Sequence, residues 1–234
     1  MEDAHYETLR SAEDSWWYRG RSLAIERMLK SFSPPPGAAL DLGAGYGAML
    51  PLLRRFGPVT AYEIYPECVA VCRERGYENV LSDESALFAR KNAFALVGAF
   101  DVLEHIKEDV AFVSRLRESI VPGGIIVATV PAHQFLWSAH DVANRHFRRH
   151  GKKSLRLLFE ENGYEVLALS YWNCSLFPIA AILRLSGAGG GGFLALPRFL
   201  NAALAFALYL ESLWLSIAPL PMGLSLIAVA RRPV

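Results

Sequence analysis

Cysteine is scarce in this 234-residue chain. Cys68, Cys72 and Cys174 are too few for a disulfide framework, and their spacing is not that of a metal site. Cys68 and Cys72 lie four apart on a predicted helix, where core packing is the plain reading. An excess of either charge is also missing. Twenty-four Lys and Arg against 23 Asp and Glu leave a net charge of +1, so no global field draws the chain to nucleic acid. There is no internal repeat. The opening Met-Glu-Asp-Ala-His lacks the basic and apolar regions of a signal peptide, so a cytoplasmic location is expected. What is abundant is apolar residues, 53% of the chain, gathered mostly after residue 165.

The rest of the chain is organised around Leu40-Asp41-Leu42-Gly43-Ala44-Gly45-Tyr46-Gly47. Pro34-Pro35-Pro36-Gly37 breaks the chain before it, apolar Ala38 to Leu40 lead in, and Ala48 to Leu53 follow. The order reads as strand, tight glycine turn and helix, with backbone N–H groups open to a ligand at the end of a first parallel strand. The apolar run Val59 to Tyr62 then ends in Glu63, an acidic tip suited to the two hydroxyls of a ribose.

Asp-Leu-Gly-Ala-Gly-Tyr-Gly followed by Glu63 resembles the cofactor site of class I S-adenosylmethionine-dependent methyltransferases. The spacing is Gly-x-Gly-x-Gly, not the Gly-x-Gly-x-x-Gly of dinucleotide folds, which disfavours a nicotinamide oxidoreductase. The resemblance implies an α/β, Rossmann-like, seven-stranded sheet whose last strand runs antiparallel between strands 5 and 6. It implies S-adenosylmethionine as cofactor, with Asp41, Gly43, Gly45, Gly47 and Glu63 at its adenosine end. It places Asp83 against the adenine amino group, although Asp83 also suits a helix N-cap, and Ala99 and Phe100 along the methionine part. Arg21, with Arg19 second, is the candidate for the cofactor carboxylate, in an N-terminal helical cap over residues 1–33. Asp101-Val102-Leu103-Glu104-His105 resembles a "DVLEH" segment found after strand 4 in many of these enzymes. Ala95 stands where the family usually has aspartate.

Two short helices are expected around Trp16-Trp17-Tyr18-Arg19-Gly20-Arg21, a helix from Pro66 to Arg75, and a strand at Asn79–Leu81. Further strands fall at Phe94–Phe100, Ile125–Val130, Tyr164–Tyr171 and Leu226–Ala230, with helices over 108–120 and Ser154–Glu161. The core of the single domain is therefore 38–172, and the last strand lies within 224–231. Between them, Asn173 to Gly223 is a strongly apolar insertion with a glycine-rich run from Gly187 to Gly192. Phe199 to Leu220 is long enough to span a bilayer, but Asn201 and Glu211 interrupt it and Pro219 and Pro221 end it. A lipid-gripping or membrane-interface helical lid is preferred, an ordinary subdomain or dimer face comes next, and a true span last.

Four of the six histidines fall between His133 and His150, past the fifth strand. The stretch resembles a bacterial methyltransferase loop of the form "LWS-x-HD…H-x-RR", matched by His140, Asp141, His146, Arg148 and Arg149. His140 is the first candidate for a base or acceptor-orienting group, and His105 the second. The basic run Arg145 to Arg156 is either a solvated face or a clamp for a phosphate. Asp101-x-x-Glu104-His105 also resembles the Glu-x-x-Glu-His of some metal-dependent methyltransferases. With aspartate first and no fourth ligand in view, no metal is expected. The function these features imply is O-methylation of an apolar or lipid-linked small molecule, with peripheral membrane contact and no nucleic-acid partner. The alternative is an inactive cofactor fold serving as a membrane-associated interaction module.

Overall fold

The computed structural model describes residues 15–186 and 197–234. Its elements are α1 (Trp16–Lys30), β1 (Ala38–Leu42), α2 (Leu50–Leu53), β2 (Val59–Tyr62), α3 (Pro66–Glu74), β3 (Asn79–Leu81), α4 (Glu84–Phe88) and β4 (Phe94–Phe100). They continue with α5 (Asp109–Ser119), β5 (Ile120–Pro131), α6 (Ala139–Ala143), α7 (Lys152–Glu160) and β6 (Glu165–Trp172). Last come α8 (Phe177–Leu185), α9 (Arg198–Leu215) and β7 (Ser225–Arg231). Short 3-10 turns cover Leu103–His105 and Gln134–Leu136.

The seven strands form one sheet in the order β3-β2-β1-β4-β5-β7-β6. β7 runs antiparallel to both neighbours, pairing Ala128 with Ala228 on one side and Leu169 with Ala228 on the other. This is the expected topology. The central strands are buried on both faces, so their residues alternate between two cores. Leu40 and Leu42 enter one core with Ile126 and Ala128, whereas Ala39 enters the other with Ile125 and Val127. The first core is closed by α5 and α7, through Val113, Leu116, Leu155 and Phe159. The second is closed by α1, through Ala24, Ile25 and Leu29.

The glycine turn leads into a helix as expected: α2 is one turn of four residues, with Pro51 at its start and Phe56-Gly57-Pro58 soon after. Trp16 to Arg21 form the first turns of α1; the part of the expected helical segment before Ser15 lies outside the described residues. β5 starts at Ile120 rather than Ile125, because Ile120 already pairs with Phe94 and the chain passes through the left-handed Gly123 (φ +78°) as an irregularity in register opposite Phe94 to Leu96. The N–H of Gly123 donates to the Arg232 carbonyl there.

The glycine-rich run of the insertion lies outside the described residues, and α9 packs along α1. Gly20 faces Leu208 so closely that an added Cβ would come within 2.4 Å of it. Asn201 accepts the Trp16 N–H at 2.8 Å, and Arg27 donates to Ser212 at 3.0 Å. Glu211 accepts the backbone N–H groups of Cys174 (2.9 Å) and Ser175 (2.6 Å). The two polar residues read as interruptions of an apolar run are the pins that fix it. Among the described residues, no helix is long and apolar enough to cross a membrane.

Candidate functional site

The order of the sheet reverses between β1 and β4, and a crevice opens at the carboxyl ends of the strands at such a point. Here it is a cleft of about 1540 Å³, lined by the glycine turn, α1, the Leu103–His105 turn, the α6 loop and α8.

At one end is the glycine turn. Gly43 and Gly45 both have left-handed backbones, with φ of +65° and +54°. A Cβ at Gly43 would meet Val102 at 2.6 Å, so this position needs glycine for space as well as for φ. A Cβ at Gly45 would meet nothing within 4 Å among the described residues, so the space beside its Cα is open to the cleft. Gly47, at φ +77°, is buried beneath, against Arg75 and Tyr77. Glu63, buried at the tip of β2, accepts the N–H of Gly45 (2.7 Å), Ile64 (2.7 Å) and Tyr65 (3.0 Å). One carboxylate thus ties the glycine turn to the end of the neighbouring strand. Asp41 lies below, accepting the Tyr77 hydroxyl at 2.6 Å. Burial pushes its carboxyl up to about 7 against that hydrogen bond and the Arg21 charge, while Glu63 adds a smaller push upward.

Next along the cleft, Arg21 reaches across from α1 to Asp101 (2.6 Å), over the rings of Tyr18 and Phe100. Asp101, at φ +57°, also accepts the Thr129 hydroxyl at 3.1 Å. Phe100 lines the cleft; Ala99, one residue earlier, points into the core instead. Asp83 is exposed and caps α4, accepting the Ala86 N–H at 2.8 Å, and it does not line the cleft, whereas its neighbour Glu84 does. That hydrogen bond and the Ser85 hydroxyl hold its carboxyl below the usual range. Arg19 is exposed on α1.

The histidine-rich loop divides. His140 lines the cleft from α6, its Nε2 3.1 Å from the Asn144 side-chain nitrogen. His146 and His105 also line it, edge to face at 4.6 Å. His133 stacks on Tyr171 at 4.8 Å and His150 is buried with Nε2 3.8 Å from Asp109; neither lines the cleft. Asp141, fully buried, is the hub. It accepts the Ser138 N–H (2.9 Å), the Arg149 Nε (2.8 Å) and the His146 Nδ1 (2.9 Å). Burial alone would raise its carboxyl; the bonds from His146 and Ser138 outweigh it and hold it low. The Phe147 N–H donates to the Glu104 carbonyl at 2.8 Å, locking this loop onto the Leu103–His105 turn.

Glu104 is fully buried, and among the described residues neither carboxylate oxygen has a hydrogen-bond partner. Burial first, and the Asp101 charge second, push its carboxyl well above the ordinary range. Burial first, then His146, lowers His105. Glu104, His105 and His146 each offer a ligand atom within 4.8 Å of the others, so these three residues can hold a metal ion. Asp101, at the head of the resembled motif, is committed to Arg21 and Thr129. The basic run is largely spent: Arg148 pairs with Asp109, Arg149 with Asp141 and Arg156 with Glu160. Of the run's arginines, Arg145 and Arg149 line the cleft. Its far wall is apolar, built by Leu176, Ala180 and Leu183, with Asn173 and Arg184 among them. The roles of Tyr77 under Asp41, Thr129 beside Asp101 and Asn173 in the wall had no signal in the sequence, since each depends on a residue far along the chain.

A family model described as "Methyltransferase domain" matches residues 16–169. A protein of Xylella fastidiosa named "Ubiquinone biosynthesis O-methyltransferase" is 28% identical over 115 residues, covering 45% of this chain and 47% of the relative. The chain thus matches about half the length of that curated relative. Among solved structures, a SAM-dependent methyltransferase from Archaeoglobus fulgidus superposes with a TM-score of 0.58 at 15% identity, covering 91% of this chain and 94% of the other. A phosphoethanolamine N-methyltransferase of Haemonchus contortus in complex with S-adenosyl-L-methionine gives 0.58 at 17% identity, covering 92% and 52%. At these identities the two structures show the fold.

Proposed function

Because the chain belongs to the methyltransferase-domain family, we propose that it transfers the methyl group of S-adenosylmethionine to an oxygen of an apolar or lipid-linked small molecule. One observation carries this reading: a single cleft runs from the open backbone of Gly45 beside Glu63 to the apolar wall of Leu176, Ala180 and Leu183. The name of the Xylella relative, an O-methyltransferase of ubiquinone biosynthesis, supports an oxygen acceptor on a greasy molecule.

In this reading Gly43, Gly45 and Glu63 hold the adenosine, with Gly47 and Asp41 shaping the turn from beneath. Arg21 and Phe100 flank the methionine part, and Glu84, beside Asp83, borders the adenine end. The methyl carbon bonds to the acceptor oxygen as its bond to sulfur breaks, leaving S-adenosylhomocysteine. The protein's share is alignment and removal of the acceptor proton. His140, which lines the cleft from α6, takes the acceptor proton, and His105 and His146 beside it orient the acceptor, His146 with its Nδ1 held by Asp141. The exposed face of α9, with Phe199, Phe206 and Trp214, together with Ile217 just past its end, rests on a membrane surface and brings lipid-linked acceptors to the cleft.

The test is incubation of the purified chain with methyl-labelled S-adenosylmethionine and a panel of polyprenyl phenols and lipid extracts. Label in an ether extracted into organic solvent supports the reading. Cofactor binding and vesicle binding with no labelled product from any acceptor would favour the inactive module instead.

A further inference from the structure

We propose that Glu104, His105 and His146 bind one divalent transition-metal ion at the floor of the cleft. The first ground is the state of Glu104. Its side chain is wholly buried and, among the described residues, both oxygens lack a hydrogen-bond partner, although buried carboxyl groups are normally satisfied. Protonation does not resolve this, because the neutral carboxyl still carries an O–H and a C=O that need partners. Arg21, a cation on the same wall of the cleft, is already paired with Asp101.

The second ground is what faces it. Ring nitrogens of His105 and His146 lie with a Glu104 oxygen inside a 4.8 Å circle. Ligands about 2.1 Å from a tetrahedral ion sit roughly 3.4 Å apart. Small rotations of His105, which is exposed, and of His146 therefore close the set around an ion.

The third ground is the support behind His146. Its Nδ1 is bonded to Asp141, which Arg149 and the Ser138 N–H hold in turn. This carboxylate–imidazole arrangement fixes the tautomer with Nε2 free to ligate, as second-shell partners of metal-bound histidines do. The backbone bond from Phe147 to Glu104 keeps the loop's histidine beside the other two donors.

A donor set of two imidazoles and one carboxylate suits zinc, cobalt or manganese better than magnesium or calcium. Three protein ligands leave positions open toward the cleft, where a substrate oxygen can coordinate. That role beside a methyl donor rests on the function proposed above; the metal site itself does not.

The experiment uses the full chain, treated with a chelator and desalted. Zn²⁺ and Mn²⁺ are titrated separately by calorimetry, with loss of the free Mn²⁺ electron paramagnetic resonance signal as a second readout. S-adenosylmethionine affinity is measured in parallel. One equivalent of metal should bind, and Glu104→Gln and His105→Asn should each weaken it tenfold or more while shifting cofactor affinity less than twofold. Asp141→Asn, which removes only the support, should weaken metal binding less than Glu104→Gln does. If Glu104→Gln does not fold, the exposed His105→Asn decides. No binding at one equivalent, or equal binding by wild type and both ligand variants, overturns the site. A chain that binds metal but not S-adenosylmethionine would leave this inference standing and refute the function above.

Discussion

Replacing Glu63 with alanine tests the cofactor end of the cleft. The carboxylate accepts three backbone N–H groups, from Gly45, Ile64 and Tyr65. It holds the glycine turn against the tip of β2, and in the function proposed above it offers its remaining lone pairs to ribose hydroxyls. Hydrogen bonds to a charged group contribute about 1.5–3 kcal/mol each. Once water replaces part of what is lost, Glu63→Ala should weaken S-adenosylmethionine binding by about 1–3 kcal/mol, or roughly 5- to 150-fold. The same change loosens the turn in the free protein. A loss of about 2 kcal/mol would lower the melting temperature by about 4–8 °C in a domain of this size. Glu63→Gln keeps one accepting oxygen and should fall between alanine and wild type on both measures. Calorimetric titration and thermal unfolding read the two effects, with circular dichroism as the check on folding. A folded Glu63→Ala protein with unchanged affinity would refute the ribose role, and one with lowered affinity but an unchanged melting temperature would refute the turn-holding role.

Three further outcomes are expected. Leu208→Ala, which empties the contact between α9 and α1 at Gly20, should cost about 2–5 kcal/mol in denaturant unfolding; a loss under 1 kcal/mol would mean that the insertion is only laid against the body. Asp41 holds its proton up to about pH 7 in the folded chain, whereas an unfolded aspartate releases it near pH 4. The folded state thus binds more protons across that window, and this residue's contribution makes stability fall as pH rises through it; Asp41→Asn should flatten the decline in cofactor-free protein between pH 5 and 8, and a parallel profile would contradict the assignment. Exchanging exposed Phe206, Trp214 and Ile217 for serine together should leave the melting temperature nearly unchanged and abolish flotation with vesicles; retained flotation would move the membrane contact elsewhere.

The strands were legible because their residues are apolar on both faces, a pattern that survives whatever the loops do. The glycine turn and Glu63 were legible for a related reason: the close approach of Gly43 to Val102 and the left-handed backbones demand a particular residue locally. Partner-dependent features were not legible. Asn201 and Glu211 looked like defects in an apolar helix, since polarity shows in a sequence but the Trp16 and Cys174 N–H groups it satisfies do not. The histidines looked like one cluster, but the bridge between Ala132 and His150 at the end of β5 carries His150 into the interior, while His133 turns to Tyr171. Only His140 and His146 of that group share the cleft with His105. Asp83 carried two readings in the sequence, an adenine partner and a helix N-cap, and the cap on α4 is the one the structure shows.

The central claim is a methyl-donor site, and calorimetric titration of the purified chain with S-adenosylmethionine, with NADH as control in mild detergent, tests it most directly. Saturable 1:1 binding of S-adenosylmethionine in the micromolar range and none of NADH is the result expected. Binding of NADH alone, or of neither, would contradict the account.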